Sequence, residues 1–366
     1  MALQCGIVGL PNVGKSTLFN ALTKSSAPAE NFPFCTIDPH VGIVNLPDER
    51  LDKLKNIYNP EKVIPATVEF IDIAGLVQGA NKGEGLGNKF LGQIRETSAI
   101  IHVVRCFDDP DIVHVNGKVN PVRDAEIIET ELLLADLDAL EKKLDKTKKL
   151  ARGGDKKLNF EVELLEKLVK HCGDGYLANS IEYSPEEFNV SKSFHLLTNK
   201  PILYVANISE NDIINDSINQ YLDELVKYAS TKNSTVIKVC ASIEQEISTL
   251  SKEEEEIFLK EYNLNESGLN KVVKTSFDLL GLQTYFTGGP SEVRAWTILK
   301  GLTAKQSAGV IHSDFERGFI KAEVFSYSDL ITHGSESALS NLGLKRTEGK
   351  EYVVKDGDCI FFKFNV

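Results

Sequence analysis

The chain has 366 residues, 42% of them hydrophobic, 26% charged and 8% aromatic, which excludes a mini-protein, a fibrous repeat and an extensively disordered chain and leaves room for two or three folded domains. With 41 Lys and Arg against 53 Asp and Glu the net charge is −12, so bulk electrostatics repels nucleic acid and anionic membranes, and any RNA contact must come from a local patch. Six cysteines without a CxxC pair, no basic leader with a cleavage site and no run of 18 uncharged apolar residues argue for a cytoplasmic, reducing setting without a zinc site, a disulfide framework or a spanning helix.

In chain order, short β-rich apolar runs alternate with helical segments. Strands are expected at 3–8, 41–46, 68–73, 99–104, 202–207 and 236–241, several of them continuously apolar, as strands buried on both faces should be. The fold class is therefore α/β, a doubly wound and mostly parallel sheet. Directly after the first strand, Gly9-Leu-Pro-Asn-Val-Gly14-Lys15-Ser16 fits GxxxxGK[ST], and Thr17 to Leu22 continues as an amphipathic helix. The mechanism needs this placement. Backbone N–H groups of Asn12, Val13 and Gly14 can wrap phosphates, Lys15 can reach the β and γ oxygens, Ser16 can ligate magnesium, and Thr17 lies within the same helix N-terminus that favours an anion.

Thr36, in the loop before the second strand, offers a hydroxyl that could complete the magnesium shell when a triphosphate is bound. Asp72-Ile-Ala-Gly75 closes the third strand, so Asp72 can position the metal and the Gly75 N–H can face a γ-phosphate. Glycines at 75, 79, 83, 85 and 87 give the following segment the freedom of a switch. Leu76 occupies the place where many GTPases put a water-orienting glutamine, so slow intrinsic hydrolysis is expected. His114 as a mobile polar group, or a potassium ion held by Asn12, are the two candidates for the missing stabilisation.

Leucines 133, 137, 140 and 144, then Leu158, Val162, Leu165, Val169 and Cys172, recur at spacings of three and four on either side of Gly153-Gly154. This pattern predicts an antiparallel helical hairpin with its tip at the glycines. Eight basic residues against two acids crowd 142–157, including Lys146, Lys148, Lys149 and Arg152. Two readings stay open there: a phosphate-backbone contact for RNA, or a solvated face whose lysines pair with nearby glutamates.

At the end of the fifth strand a guanine reader would carry Asn-Lys-x-Asp. Here the tetrad is Asn207-Ile208-Ser209-Glu210, without the lysine and with a carboxylate one methylene further out, which fits guanine's paired donors poorly. Asn207 could meet an adenine, backbone near Ile208 could read its other edge, and Glu210 would have to turn to solvent or another partner. ATP is therefore expected to bind more tightly than GTP. Ser242, after the sixth strand, belongs to the base-supporting loop. The acidic run 252–260 reads as an exposed helix start, and from Phe277 onward Gly-rich turns and two alternating strands, 318–325 and 359–364, indicate a small α+β domain. The expected organisation is a P-loop domain at 1–125 and 197–276, a helical insertion at 126–196 and the C-terminal domain at 277–366.

Asn12 to Thr17, Asn31-Phe-Pro-Phe-Cys-Thr36, Asp72-Ile-Ala-Gly-Leu-Val77, Gly83-Glu-Gly-Leu-Gly-Asn88, the Asn207 tetrad and Thr287-Gly-Gly-Pro-Ser-Glu-Val-Arg-Ala-Trp-Thr297 together resemble the Obg-like ATPases, the YchF family, essentially from end to end. The resemblance implies a G-domain with a coiled-coil insertion and a C-terminal TGS domain, ATP hydrolysis preferred over GTP hydrolysis, and association with ribosomes, the large subunit being the expected partner. It places Leu76 as the apolar replacement of a hydrophobic-substituted GTPase. Cys359 stands where the family pattern has a small aliphatic residue. The expected activity is a slow, magnesium-dependent nucleotide switch in which Lys15 and Gly75 act on the γ-phosphate. Two rivals accompany it: an RNA- or ribosome-binding adaptor whose nucleotide only tunes affinity, and a GTP-specific switch. Redox sensing at Cys35 has no support in the sequence.

Overall fold

The computed structural model describes residues 3–24, 40–73, 85–214 and 218–365. Their contacts divide the chain into two compact units, one formed by 1–43 and 69–272 and the other by 44–68 and 273–366.

The first unit is built on six strands: β1 (Gln4–Val8), β2 (Val41–Asn45), β4 (Thr67–Asp72), β5 (Ala99–Arg105), β6 (Ile202–Asn207) and β7 (Thr235–Val239). They lie in the order β2-β4-β1-β5-β6-β7, and the pairs β4–β1, β1–β5, β5–β6 and β6–β7 are all parallel. All six fall where the apolar runs placed them. β5 and β6 are buried at every position, as a central strand covered on both faces by crossover helices must be. The order reverses around β1, since its neighbours are β4 and β5, and such a switch point opens a crevice at the carboxyl ends of the strands. Helices α1 (Lys15–Lys24) and α3 (Gly85–Glu96) follow β1 and β4 in the chain. The last turn of α3 is held by Lys200, whose ammonium donates to the carbonyls of Ile94 and Arg95, 2.8 and 2.9 Å away.

The helical hairpin is α4 (Pro121–Ala151) and α5 (Lys156–Gly173), turned at Gly153 and Gly154, the latter at φ 81°. Leu133 and Leu140 of α4 meet Leu164, Leu165, Leu168 and Cys172 of α5, with Leu137, Leu144 and Val169 at the margin. The buried stripe on α5 therefore runs through Leu164 and Leu168 rather than Leu158 and Val162. The reason is a third layer: Leu177, Ala178 and Leu196 cover the helix from its other side, so two adjacent positions, 164 and 165, both go inside. The first turns of α4 do not belong to the hairpin core, because Ala125, Ile128 and Leu132 are buried below Leu133, nearer the sheet end of the helix. The acidic run is the helix Lys252–Glu261, opened by a Ser251–Glu254 capping box.

The second unit holds a six-stranded sheet in the order β11-β10-β12-β8-β9-β3. Its strands are β3 (Lys62–Ile64), β8 (Leu282–Gly288), β9 (Glu292–Leu299), β10 (Phe319–Ser326), β11 (Arg346–Glu348) and β12 (Asp358–Phe364). Sequence patterning locates β10 and β12 and misses the rest. The grouping also differs from the boundaries read from sequence, because 44–68 packs with the C-terminal residues. β3 pairs in parallel with β9, Val63 opposite Val293. α2 (Glu49–Tyr58) is clamped to the same sheet by Arg50, which binds Asp356 at 2.7 Å and Thr284 at 2.8 Å and lies over the Phe286 ring. Gly288 is required here, since a Cβ would sit 2.4 Å from the Tyr58 ring.

Candidate nucleotide site

The end of β1 is shaped by close approach. A Cβ on Gly9 would meet the Val103 carbonyl and the Val13 side chain, both at 2.8 Å, and one on Gly14, at φ 92°, would meet the Asn207 amide nitrogen at 2.4 Å. Asn12 also takes a left-handed conformation, φ 64°. These constraints fold 9–14 back over the strand ends and start α1 at Lys15, with the Leu18 N–H on the Gly14 carbonyl at 3.0 Å. The first-turn N–H groups of α1 have no partner inside the helix and face an anion-favouring positive end.

Lys15 is only 9% exposed, and its ammonium is paired with the carboxylate of Asp72 at the end of β4, the neighbouring strand. The two residues singled out for phosphate and metal are thus in contact, and Ser16 is exposed on the first turn beside them. Thr36, Gly75 and Leu76, like Cys35, lie outside the described residues. The other five cysteines are buried and, among the described residues, form no disulfide. Among the described residues no group of three or more His, Cys, Asp or Glu is placed to hold a metal. One carboxylate and one hydroxyl are nonetheless a donor set suited to magnesium, which keeps several waters and takes the rest of its shell from substrate phosphates.

Beyond the phosphate loop lies an open cleft of about 550 Å³, a size within the range of small-molecule sites. It brings together Asn12, Gly14, Thr17, Asn207, Ile208, Glu210 and Ser242, which come from three separate stretches of sequence. Val13 is buried beneath them. Asn207 is largely committed to the protein: its Nδ2 donates to the Val13 carbonyl at 2.9 Å and its Oδ1 accepts from the Ala241 N–H at 3.0 Å. One proton and one lone pair remain for a base. The Ile208 N–H is spent on the Val239 carbonyl. Glu210 is exposed, and its Oε1 accepts a 3.3 Å bond from the Tyr262 hydroxyl, so the carboxylate has a partner from the protein. The Ser242 hydroxyl is 3.2 Å from the Cys240 sulfur.

His114 requires a correction. The sequence left it as a mobile polar group, whereas its side chain is buried, with Nε2 2.8 Å from Asp124 Oδ2 and Nδ1 accepting the Asn116 N–H at 3.1 Å. Arg123 binds the other oxygen of the same carboxylate. Both imidazole nitrogens are used for structure, which accounts for its fixed place under the loop. That loop does reach the phosphate region by another route, the Asn12 Nδ2 donating to the Val113 carbonyl at 3.2 Å.

Sequence reasoning passed over Phe107, Asp108, Asp109 and Ile112, which form one wall of the cleft, and Gln245 on the opposite side. Residues 107–112 carry no motif and no periodicity. Their one legible signal is position, immediately past the carboxyl end of β5 next to the switch point.

Two family models match this chain. The one described as a 50S ribosome-binding GTPase covers residues 4–152, from β1 to the end of α4, and the YchF-GTPase_C model, described as a protein of unknown function, covers 282–365, from β8 to β12. Over all 366 residues, and over 100% of both chains, the sequence is 54% identical to the "Ribosome-binding ATPase YchF" of Bacillus subtilis and 52% identical to that of Escherichia coli O157:H7. The chain belongs to the YchF family. The solved structure of the Schizosaccharomyces pombe YchF GTPase covers 99% of this chain and 97% of its own at 40% identity and a TM-score of 0.90. A likeness of that extent covers both of the family's halves, the phosphate-binding sheet and the C-terminal strands.

Outside the cleft, the basic stretch at the hairpin tip splits into two kinds of residue. Lys142 is bonded to Asp138 at 2.6 Å, Lys143 to Glu161 at 3.0 Å and Lys148 to Glu166 at 2.7 Å. Lys146, Lys149, Arg152, Lys156 and Lys157 are exposed and make no ion pair with a described residue. Pairing with nearby glutamates thus holds for Lys143 and Lys148, an aspartate takes Lys142, and the second group is left.

Proposed function

We propose that this protein is a magnesium-dependent nucleoside-triphosphate phosphohydrolase that hydrolyses ATP in preference to GTP as a slow switch and works in association with the ribosome. The observation that carries the reading is the half-buried contact of Lys15 with Asp72 at the end of the glycine loop: a cation for the β and γ oxygens and a carboxylate for the metal, side by side, with Asn12, Gly14 and Thr17 of the same stretch lining a nucleotide-sized cleft. Magnesium would be held by Ser16, Thr36 and Asp72, and supplies neutralisation of the charge that develops on the phosphates. Gly75 is assigned to the γ-phosphate, and Asn12 to a potassium ion.

Support for adenine comes from the tetrad. Glu210 has no lysine beside it and is bonded by Tyr262, so no acceptor is stranded when the base lacks guanine's paired donors. Ribosome association is supported by the names of the full-length relatives, which are ribosome-binding ATPases, and by the matched 50S ribosome-binding GTPase model. A second reading, an adaptor that docks on RNA through the hairpin, is favoured by the exposed cations at its tip that make no ion pair among the described residues. The large subunit is the expected docking partner.

Equilibrium binding of ATP, GTP and both diphosphates, with magnesium and in potassium or sodium buffer, tests the assignment. ATP binding clearly tighter than GTP is expected. Equal affinities would mean that Glu210 still reaches guanine, and the ATPase reading would give way to a GTP switch on the same phosphate site. Lys15→Ala should abolish triphosphate binding, and micromolar affinity retained in that variant removes the phosphate site itself. If potassium and sodium give the same turnover, Asn12 loses its cation.

A further inference from the structure

Arg105 is an unexpected residue at the end of a strand that is apolar apart from it and His102. It is 1% exposed, and β5 is buried along its whole length. A buried guanidinium ordinarily has a carboxylate partner, yet among the described residues none pairs with it. Its fork is filled by backbone instead: Nε donates to the Phe107 carbonyl at 3.0 Å, Nη1 to Ile112 at 3.0 Å and Nη2 to Asp109 at 3.3 Å. The same guanidinium lies over the Phe107 ring, 4.7 Å from its centroid.

The three carbonyls belong to the loop that walls the cleft with Phe107, Asp108, Asp109 and Ile112. One residue further on, the Val113 carbonyl takes the Asn12 amide of the phosphate loop. The loop is therefore wrapped around one cation, and it has no regular secondary structure to hold it otherwise. Three divergent bonds in one plane are what a guanidinium supplies and a lysine ammonium cannot, because the ammonium is a compact point donor on a flexible stem.

We infer that Arg105 is the positioning residue of the nucleoside end of the site: it touches no ligand, and it sets the wall against which the base and ribose are held. This rests on the cleft being the nucleotide site. A core arginine with no such role would alter stability without separating one ligand part from another.

The test compares two ligands by calorimetric titration, magnesium·ATP and magnesium·tripolyphosphate, on the full chain. Arg105→Lys and Arg105→Met should each weaken ATP binding at least tenfold while leaving tripolyphosphate within about twofold, and amide exchange of residues 107–113 should speed up in both. ATP affinity unchanged in Arg105→Lys overturns the inference, and so does an equal loss for both ligands. Should the arginine variants fail to fold, Phe107→Ala leaves the guanidinium and its three backbone acceptors in place. It should show the same selective loss, and unaltered ATP binding there also overturns the inference. Wild-type protein that binds neither ligand overturns the nucleotide reading, and this inference with it; wild-type binding with unaltered variants overturns this inference alone.

Discussion

Gly14 shows how much one missing methyl group decides. Its left-handed backbone and the 2.4 Å that would separate a Cβ from the Asn207 amide mean that Gly14→Ala must push out Asn207, which joins the phosphate loop at Val13 to the base loop at Ala241. We expect this variant to lose nucleotide binding and about 1–3 kcal/mol of stability, measured by titration and by urea unfolding; wild-type binding would show that the stitch is dispensable. Glu244, one turn past that base loop, behaves differently. It is buried and accepts the N–H groups of Gly268 and Leu269 at the start of the helix Gly268–Leu279, with Glu255 and Lys271 as the charges that act on it. Burial, opposed by those two bonds, pushes its carboxyl up to about 7. Since the folded group holds its proton more tightly than the unfolded one, its contribution is fully present below about pH 4.5, falls as pH rises to about 7 and is flat above. Glu244→Gln keeps an acceptor for the N–H groups and removes the titration. Its stability relative to wild type should climb between pH 5 and pH 8, by at most about 3 kcal/mol; a difference that does not move with pH would refute the assignment.

The long helix α4 is attached by buried carboxylates as well as by its leucines. Asp124 binds His114 and Arg123, Glu129 takes Tyr228 at 2.9 Å together with Tyr204 and Lys232, and Asp136 accepts the Leu197 and Thr198 N–H groups, both at 2.8 Å, and the Thr198 hydroxyl at 2.7 Å. Asp136→Ala would strand two buried backbone donors, so a loss of about 2–4 kcal/mol is expected in urea unfolding, with Asp136→Asn losing less because one acceptor survives. Equal losses for the two variants would assign the effect to packing. The carboxylates mark where sequence reading stops. Periodicity separates apolar from polar positions, so the hairpin, its glycine tip and the six strands of the first unit's sheet are legible, whereas nothing in the pattern tells that Glu129 meets Tyr204 or that Asp136 meets Thr198. The phosphate site was legible for a further reason: backbone wrapping, a lysine and a metal hydroxyl have to be close in sequence, and Gly9 to Ser16 supplies them together. Arg105 and Phe107 had no such neighbourhood. The same limit explains β3, three residues whose partner, β9, is more than two hundred positions away. Periodicity describes how a segment meets a surface, and it carries no information about whose surface it is.

At the scale of the whole molecule, a net charge of −12 sets the problem that the proposed ribosome association has to solve. The general field opposes approach to RNA, and the force that overcomes it has to be local, because charges further apart than about 8 Å are screened at physiological salt. The hairpin tip has that local character. Lys146, Lys149 and Arg152 are exposed and make no ion pair among the described residues, whereas Lys148 is bonded to Glu166 and already partly neutralised. If the tip touches RNA phosphates, each contact releases counterions and adds about 0.7–0.9 to the slope of log affinity against log salt. Replacing Lys146, Lys149 and Arg152 together by alanine should then weaken co-sedimentation with ribosomes, lower that slope by roughly 2–3, and leave basal ATP turnover as it was, since none of the three lines the cleft. Lys148→Ala, the paired neighbour, should change the slope by less than any one of them. Unchanged co-sedimentation in the triple variant would remove the hairpin from ribosome binding, and a loss of affinity with the slope intact would mean that the tip meets a surface other than phosphate.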